Sequence, residues 1–235
     1  MLKKSETYKI VNIPKTNSYL LLGISYEIYE SITQTNILSH AFFNETENEV
    51  YNEMENEVSN KVYEEDSISF TAESVKPLSV FLKKGKLTNQ ETTKMIYDLS
   101  KQIAYLETKM QQTFYGYNLD DIVVINDDTF FIASTKNLAR IETKNNSIYF
   151  YKPIIKPYFS SPELNELTKL PGTIDYRSSY YSLGALILFC STNIYIFSEL
   201  KDTNEILLPL NYTKAYWFLK RCFHEDCKER ILLFI

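Results

Sequence analysis

"FSSPEL" at residues 159–164 and "SSYYSLGALILF" at residues 178–189 decide how this chain is read. The first places Ser161 ahead of Pro162 and Glu163. A serine side chain can accept from a first-turn amide, proline suits the first helical position, and a carboxylate is favoured near the positive end of the helix dipole. A short helix is therefore expected to open at Pro162, with "KLPGT" (169–173) ending it. The second stretch begins a very apolar run from Ser179 to about Phe197. A membrane span needs about 20 predominantly apolar residues, and Ser182, Ser191, Thr192 and Asn193 interrupt this run. The expected structure is a helix buried on all sides in a soluble core. A membrane-associated or structural role for 180–197 is the competing reading.

Working outward, "TNQE" at 88–91 has the capping-box pattern of Thr88 and Glu91. Ile96, Leu99, Ile103, Leu106 and Met110 follow at steps of three and four. That apolar stripe predicts a helix from about 89 to 111. "DDIVVIND" (120–127) and "DTFFIAS" (128–134) read as two strands joined at a polar turn, and 135–158 as a mostly irregular connector broken by "NN" and two "KP" pairs. Upstream, 8–24 reads as two short strands around "PKTN", and 67–74 as a strand ending in a polar connector. Residues 26–43 fit either a helix or a strand and loop. "VKPLSVFLKKGKL" (75–87) reads as a short helix, and "KAYWFLKRCF" (214–223) as the last one. Ahead of the 67–74 strand, 44–66 is acidic and locally duplicated, "ENEVYN" recurring as "ENEVSN". It reads as a solvated helix or flexible insertion; its functional reading is an acidic docking surface.

The composition is that of an ordinary globular chain, 44% hydrophobic and 23% charged. A net charge of −5 argues against nucleic acid as a partner, because phosphate backbones are bound by basic faces. The cysteines are Cys190, Cys222 and Cys227, too few for a disulfide framework, which favours a reducing, cytoplasmic location. Cys222, His224 and Cys227 lie close in sequence, but a structural zinc site needs four ligands, so no metal site is expected. The N-terminal stretch has no apolar core of a signal peptide.

The order of these elements resembles the protein kinase fold, most strongly from about Phe70 to Ile235. Ser161-Pro162-Glu163 is similar to the A-P-E motif that closes the activation segment. "SSYYSLGALIL" is similar to the start of the kinase central helix, where the family writes Asp-x-Tyr/Trp-Ser-x-Gly. "RCFHEDCKER" (221–230) is similar to the stretch Cys-Leu-x-x-Asp-Pro-x-x-Arg. The resemblance implies an α+β, two-lobed fold: a reduced, divergent N-lobe over 1–74 and a mainly helical C-lobe over 75–235. It also implies that Glu163 pairs with Arg230, and that the backbone of Glu73, Ser74 and Val75 forms the hinge that meets adenine.

The chemistry of that family is largely missing. Kinases use a Gly-rich loop, a strand lysine paired with a helix glutamate, a catalytic-loop Asp and Asn, and a D-F-G Asp for magnesium. The chain has 5 glycines, and only Gly23 precedes residue 74. No lysine has the expected context; Lys9 and Lys15 are nearest. Aligned without gaps, H-R-D becomes Phe114-Tyr115-Gly116 and the family's Asn becomes Asp121; a gap would put Asn118 at the Asp position. D-F-G becomes Ser134-Thr135-Lys136, and the central-helix Asp that braces the catalytic loop becomes Ser179. Magnesium prefers carboxylate oxygens, which a serine does not supply.

The expectation is a pseudokinase-like module with a protein partner, its surface on 44–66 or 135–158. ATP, with or without magnesium, is the ligand that the resemblance implies. The alternative is an active atypical Ser/Thr kinase in which Asp120 or Asp121 serves as metal ligand or base. The Gly-poor, Asn-, Lys- and Tyr-rich composition points to an AT-rich genome such as that of a large DNA virus.

Overall fold

The computed structural model describes residues 8–45, 66–196 and 203–233. The duplicated acidic stretch lies almost wholly outside the described residues, as does Phe197 at the end of the apolar run.

The chain is an α+β protein. Strands β1 (Lys9–Asn12) and β2 (Ser18–Leu22) form an antiparallel hairpin across "PKTN". Helix α1 (Tyr26–Gln34) settles the ambiguous stretch as helix: Ser25 caps it by accepting from the Ile28 amide. β3 (Phe42–Asn44) and β4 (Ser67–Thr71) complete a four-stranded sheet of order β1-β2-β4-β3. β5 (Val75–Pro77) is a strand where helix was expected; α2 (Leu78–Phe81) follows at once. Pro77 ends the strand, where its missing amide is tolerated.

Helix α3 (Asn89–Tyr105) carries both halves of the capping box, the Glu91 amide on Thr88 Oγ1 at 3.2 Å and the Thr88 amide on Glu91 Oε2 at 2.7 Å. Ile96, Leu99, Ile103 and Leu106 are fully buried. The α-helix stops short of 111, because Leu106–Met110 widens into a π-helical turn that ends at a left-handed Gln111.

Next come β6 (Gln112–Phe114), β7 (Gly116–Tyr117), β8 (Ile122–Ile125) and β9 (Thr129–Ile132). The sheet β5-β8-β9 lies on α3. Two polar side chains of α3 fasten it. Asp98 Oδ2 accepts from the Phe130 amide at 3.1 Å. Gln102 accepts from the Ile132 amide at 2.8 Å, and its Nε2 donates to Ile132 O at 2.9 Å and lies 3.2 Å from Ser31 Oγ of α1. One carboxamide thus ties α3 to the strand and to α1.

The connector 135–158 is less irregular than expected. It contains β10 (Leu138–Arg140), paired with β6, and β11 (Ser147–Phe150), paired with the later β13. β12 (Phe159–Ser160) pairs with β7 and leads into α4 (Pro162–Glu166), which Ser161 caps from the Leu164 amide at 3.2 Å. β13 (Gly172–Asp175) precedes α5 (Ser178–Thr192). α6 (Thr203–Leu207) and α7 (Lys214–Cys222) complete the described helices.

α5 is buried on all sides, with α3, α4, α7, β7 and β12 packed around it. A helix without a polar stripe has no stable position except inside such a shell. It ends because Asn193 takes the left-handed conformation and returns its amide to Phe189 O at 2.8 Å. Gly184 permits the close approach of α7: a Cβ there would lie 2.9 Å from Cys222 Cβ. Among the described residues, no helix is long and apolar enough to cross a membrane.

α4 is tied to the segment after α7 by charge. Arg230 Nη1 and Nη2 donate to Glu163 Oε2 and Oε1 at 3.0 and 2.7 Å, and Arg230 Nε donates to His224 O at 2.9 Å. The guanidinium also lies over the Tyr181 ring of α5, 5.1 Å from its centroid. The Arg230 side chain is 2% exposed and that of Glu163 28%. Such a forked pair is strong locally, and removing one partner leaves a buried charge alone. Glu163→Ala is expected to lower stability by about 2–3 kcal/mol in urea unfolding, with Glu163→Leu combined with Arg230→Met recovering most of the loss. An additive double variant would show that the two charges do not act as a pair.

Candidate functional site

The sequence-singled acids sit in one turn, but they face different partners. Residues Leu119–Asp121 form a 3-10 turn between β7 and β8. Asp121 is buried at 5% exposure, and its Oδ2 gathers three donors: the Asn118 amide at 2.7 Å, Asn118 Nδ2 at 3.0 Å and Asn137 Nδ2 at 3.1 Å. Its backbone oxygen accepts from the amides of Ala133 and Ser134 at 2.9 and 3.4 Å. Burial raises the Asp121 carboxyl above the usual range, while the donors from Asn118 and Ser134 pull against that. Asn118 Oδ1 in turn accepts from the Tyr158 amide at 2.9 Å. Asp121 therefore clamps three segments together: its own turn, the stretch after β9 and, through Asn118, the entry to β12.

Asp120 is exposed and hydrogen-bonded by Ser79 Oγ of α2. With Tyr8, Ile10 and Pro77 it lines a cavity of about 360 Å³. The Tyr8 hydroxyl is buried there without a hydrogen-bond partner among the described residues, and burial raises its pKa, with the charges of Asp120 and Asp121 adding to the effect.

Glu73 and Ser74 lie between β4 and β5, and Val75 begins β5 opposite Ile125. The amides of Glu73 and Ser74 both donate to Asn126 Oδ1, at 2.7 and 3.1 Å, and the Asn126 amide donates to Ser74 O at 2.9 Å. Asn126 and Asp127 make the β8–β9 turn with left-handed backbones, which Asn and Asp tolerate best after Gly. Asp127 also pairs with Lys76 at 2.7 Å, a partner that holds its carboxyl below the usual range. A ligand reaching for those two amides has to displace the Asn126 carboxamide.

The D-F-G-aligned residues lie next to Asp121. Ser134 Oγ accepts from the Lys136 amide at 3.2 Å. The cysteine–histidine group stays dispersed: Cys222 is buried in α7, His224 Nδ1 lies 3.3 Å from Asp226 O, and burial pushes the Cys227 thiol up to about 12. Among the described residues no cluster of three or more His, Cys, Asp or Glu side chains is placed to hold a metal ion.

One functional candidate escaped the sequence reading. Glu107 stands in the π-helical turn and points its carboxylate inward. Oε2 accepts from Tyr180 Oη of α5 at 2.7 Å and Oε1 from Thr113 Oγ1 of β6 at 2.9 Å. The Ser179 hydroxyl lies 3.4 Å from that of Thr113. Burial raises the Glu107 carboxyl to about 7, against the opposing pull of both hydroxyls. The signal was present: residue 107 is four past Ile103, so a glutamate falls on the apolar stripe.

Neither a scan against protein-family models nor a search of the curated proteins finds a match.

A carboxyl whose folded pKa is raised binds its proton in the native state after the unfolded chain has lost it. Its native state is therefore penalised as pH rises from about 4.5 to about 7. Glu107→Gln removes that penalty and keeps an oxygen for the Tyr180 hydroxyl. Relative to the parent, the variant is expected to gain on the order of 2–3 kcal/mol between pH 4.5 and 8, read by urea unfolding across that range. A constant difference would place the Glu107 titration elsewhere.

Proposed function

We propose that this chain is a catalytically impaired, protein-kinase-like domain that acts as a regulatory protein-interaction module. Three features support the scaffold. Ser161-Pro162-Glu163 opens α4 as a capped turn, α5 is a buried hub, and Glu163 meets Arg230 across 67 residues of sequence.

The observation that carries the loss of catalysis is the state of Asp121. The one carboxylate at a catalytic-loop position that resembles a cation ligand is buried, and the oxygen that faces its neighbours is already surrounded by donors. Kinases hold magnesium with a second acid in D-F-G and pair a strand lysine with a helix glutamate. Here the aligned position is Ser134, and β2, the strand before α1, reads Ser-Tyr-Leu-Leu-Leu. Glu30 of α1 accepts instead from Tyr105 Oη at 3.0 Å. These residues do not fit a magnesium–nucleotide site of the kinase kind.

The interaction role rests on the surface between β11 and β12. Tyr149, Tyr151, Ile155 and Tyr158 are all exposed there, Tyr151 at 73% and Ile155 at 80%, with Tyr149 and Tyr151 stacked at 6.0 Å. The Tyr149–Tyr151 pair is the part in mutual contact, and grouped apolar exposure marks surfaces that meet other proteins. The second reading, an active atypical kinase, is favoured by exposed Asp120 beside the Tyr8 cavity.

Thermal unfolding with ATP, alone and with magnesium or manganese, separates the two. A site filled at one hundred times its dissociation constant stabilises by about 2.7 kcal/mol. The impaired module is expected to show no metal-dependent rise, and Asp121→Asn is expected to leave phosphotransfer at the blank level of the parent. A metal-dependent rise with transfer lost on substituting Asp120 or Asp121 would establish the active kinase instead.

A further inference from the structure

Beside the π turn a second cavity of about 380 Å³ is lined by Glu107, Thr108, Gln111, Ile141, Asn146 and Tyr176. Its size falls within the range of about 300–1,000 Å³ typical of small-ligand sites. It is built on fixed backbone. The π turn supplies Glu107 and Thr108, the left-handed Gln111 turns the chain and accepts from the Ile141 amide at 2.8 Å, and Asn146 O accepts from the Tyr176 amide at 2.9 Å.

The charge of this cavity's lining is lopsided. Thr108 Oγ1 spends its proton on Ala104 O at 2.7 Å, and Gln111 Nε2 donates to Glu107 O at 3.1 Å. Each carboxylate oxygen of Glu107 receives one hydroxyl donor, from Tyr180 or Thr113, and retains a second lone pair. The lining thus holds one acidic group with free lone pairs, the carboxamides of Gln111 and Asn146, an aromatic ring at Tyr176 and no basic side chain. The nearby Arg177 lies over the Tyr176 ring, 5.7 Å from its centroid, but its charge is matched by Asp175 at 2.9 and 3.0 Å, and Lys109 is exposed.

We propose that this cavity binds a small organic cation through a primary ammonium or guanidinium head, with Glu107 as its counter-ion and the Tyr176 ring beside it. The chemistry is the one that a singly acidic pocket with no basic side chain in its lining and with an aromatic wall selects. The raised Glu107 carboxyl fits an acid that lacks its counter-ion in the free protein. Binding therefore releases a proton near neutral pH. This inference is independent of the kinase-like reading.

The test is calorimetric titration of the full chain at pH 7 with agmatine and with putrescine, in two buffers of different ionisation enthalpy. N- and C-blocked arginine and lysine serve as a second pair of probes. Saturable binding with a buffer-dependent heat is expected, weakened about tenfold or more by Glu107→Gln, the scale of a lost hydrogen bond to a charged group. Thr108→Lys, at an exposed position, is expected to weaken it as strongly by placing a cation at the rim. Tighter binding of the free amines would identify a soluble metabolite, and tighter binding of the blocked amino acids a side chain of a partner; both keep the cation site. Equal binding of neutral butane-1,4-diol, no saturable heat with any cation, or unchanged affinity in both variants would overturn it.

Discussion

The structure depends on the burial of α5 from every side. A helix rich in leucine and tyrosine with no polar stripe must be enclosed, and each enclosing element then has its position fixed relative to the others. α3 and α7 cover two of its flanks, α4 and the β7–β12 pair another. The pair Glu163–Arg230 closes the shell where the chain is held only by short segments, with the Arg230 guanidinium lying against Tyr181 of the same helix. Charge here works as a fastening of one packed layer to another, and because Arg230 has been removed from water, losing Glu163 would leave its charge uncompensated.

The same use of charge recurs at Asp98, Glu107 and Asp121. Burial raises the carboxyl of each above its ordinary range, and each has neighbouring donors that oppose the rise. Each joins elements that meet only in the folded chain: Asp98 joins α3 to β9, Glu107 joins the π turn to β6 and α5, and Asp121 joins its turn to the stretch after β9. On the proposed reading, α5 carries Ser179 where a bracing acid is expected, and Glu107 brings a carboxylate to the adjoining Thr113 from the opposite side.

How much of this was legible follows from which signals are local. The α3 capping box, its apolar stripe and the Ser161 cap are written in neighbouring residues, and the helices begin where those signals stand. β10 and β11 were not legible. They are short, and β11 finds its partner β13 across the whole of α4, so their pairing is a property of the fold and not of the segment. β5 was hidden by Pro77, which reads as a breaker until it is seen at a strand end. Among site residues, the acids of 120–121 were visible as carboxylates, but nothing in the sequence told that one faces Asn118 and Asn137 and the other Ser79. The engagement of the Glu73 and Ser74 amides by Asn126 was equally hidden, because it needs the left-handed turn that joins β8 to β9.

The pairing of β3 with β4 has an evolutionary consequence. The chain leaves the sheet at Asn44 and returns at Ser67 in direct register with it, and the two side chains are hydrogen-bonded at 3.4 Å. The ends of the intervening segment are thus anchored side by side whatever lies between them. Closing such a loop costs only about 0.6 kcal/mol more for each doubling of its length. Duplication of a short acidic unit there is nearly neutral for folding, so this edge of the sheet is a place where sequence can be gained or lost while selection acts on the rest of the molecule unchanged.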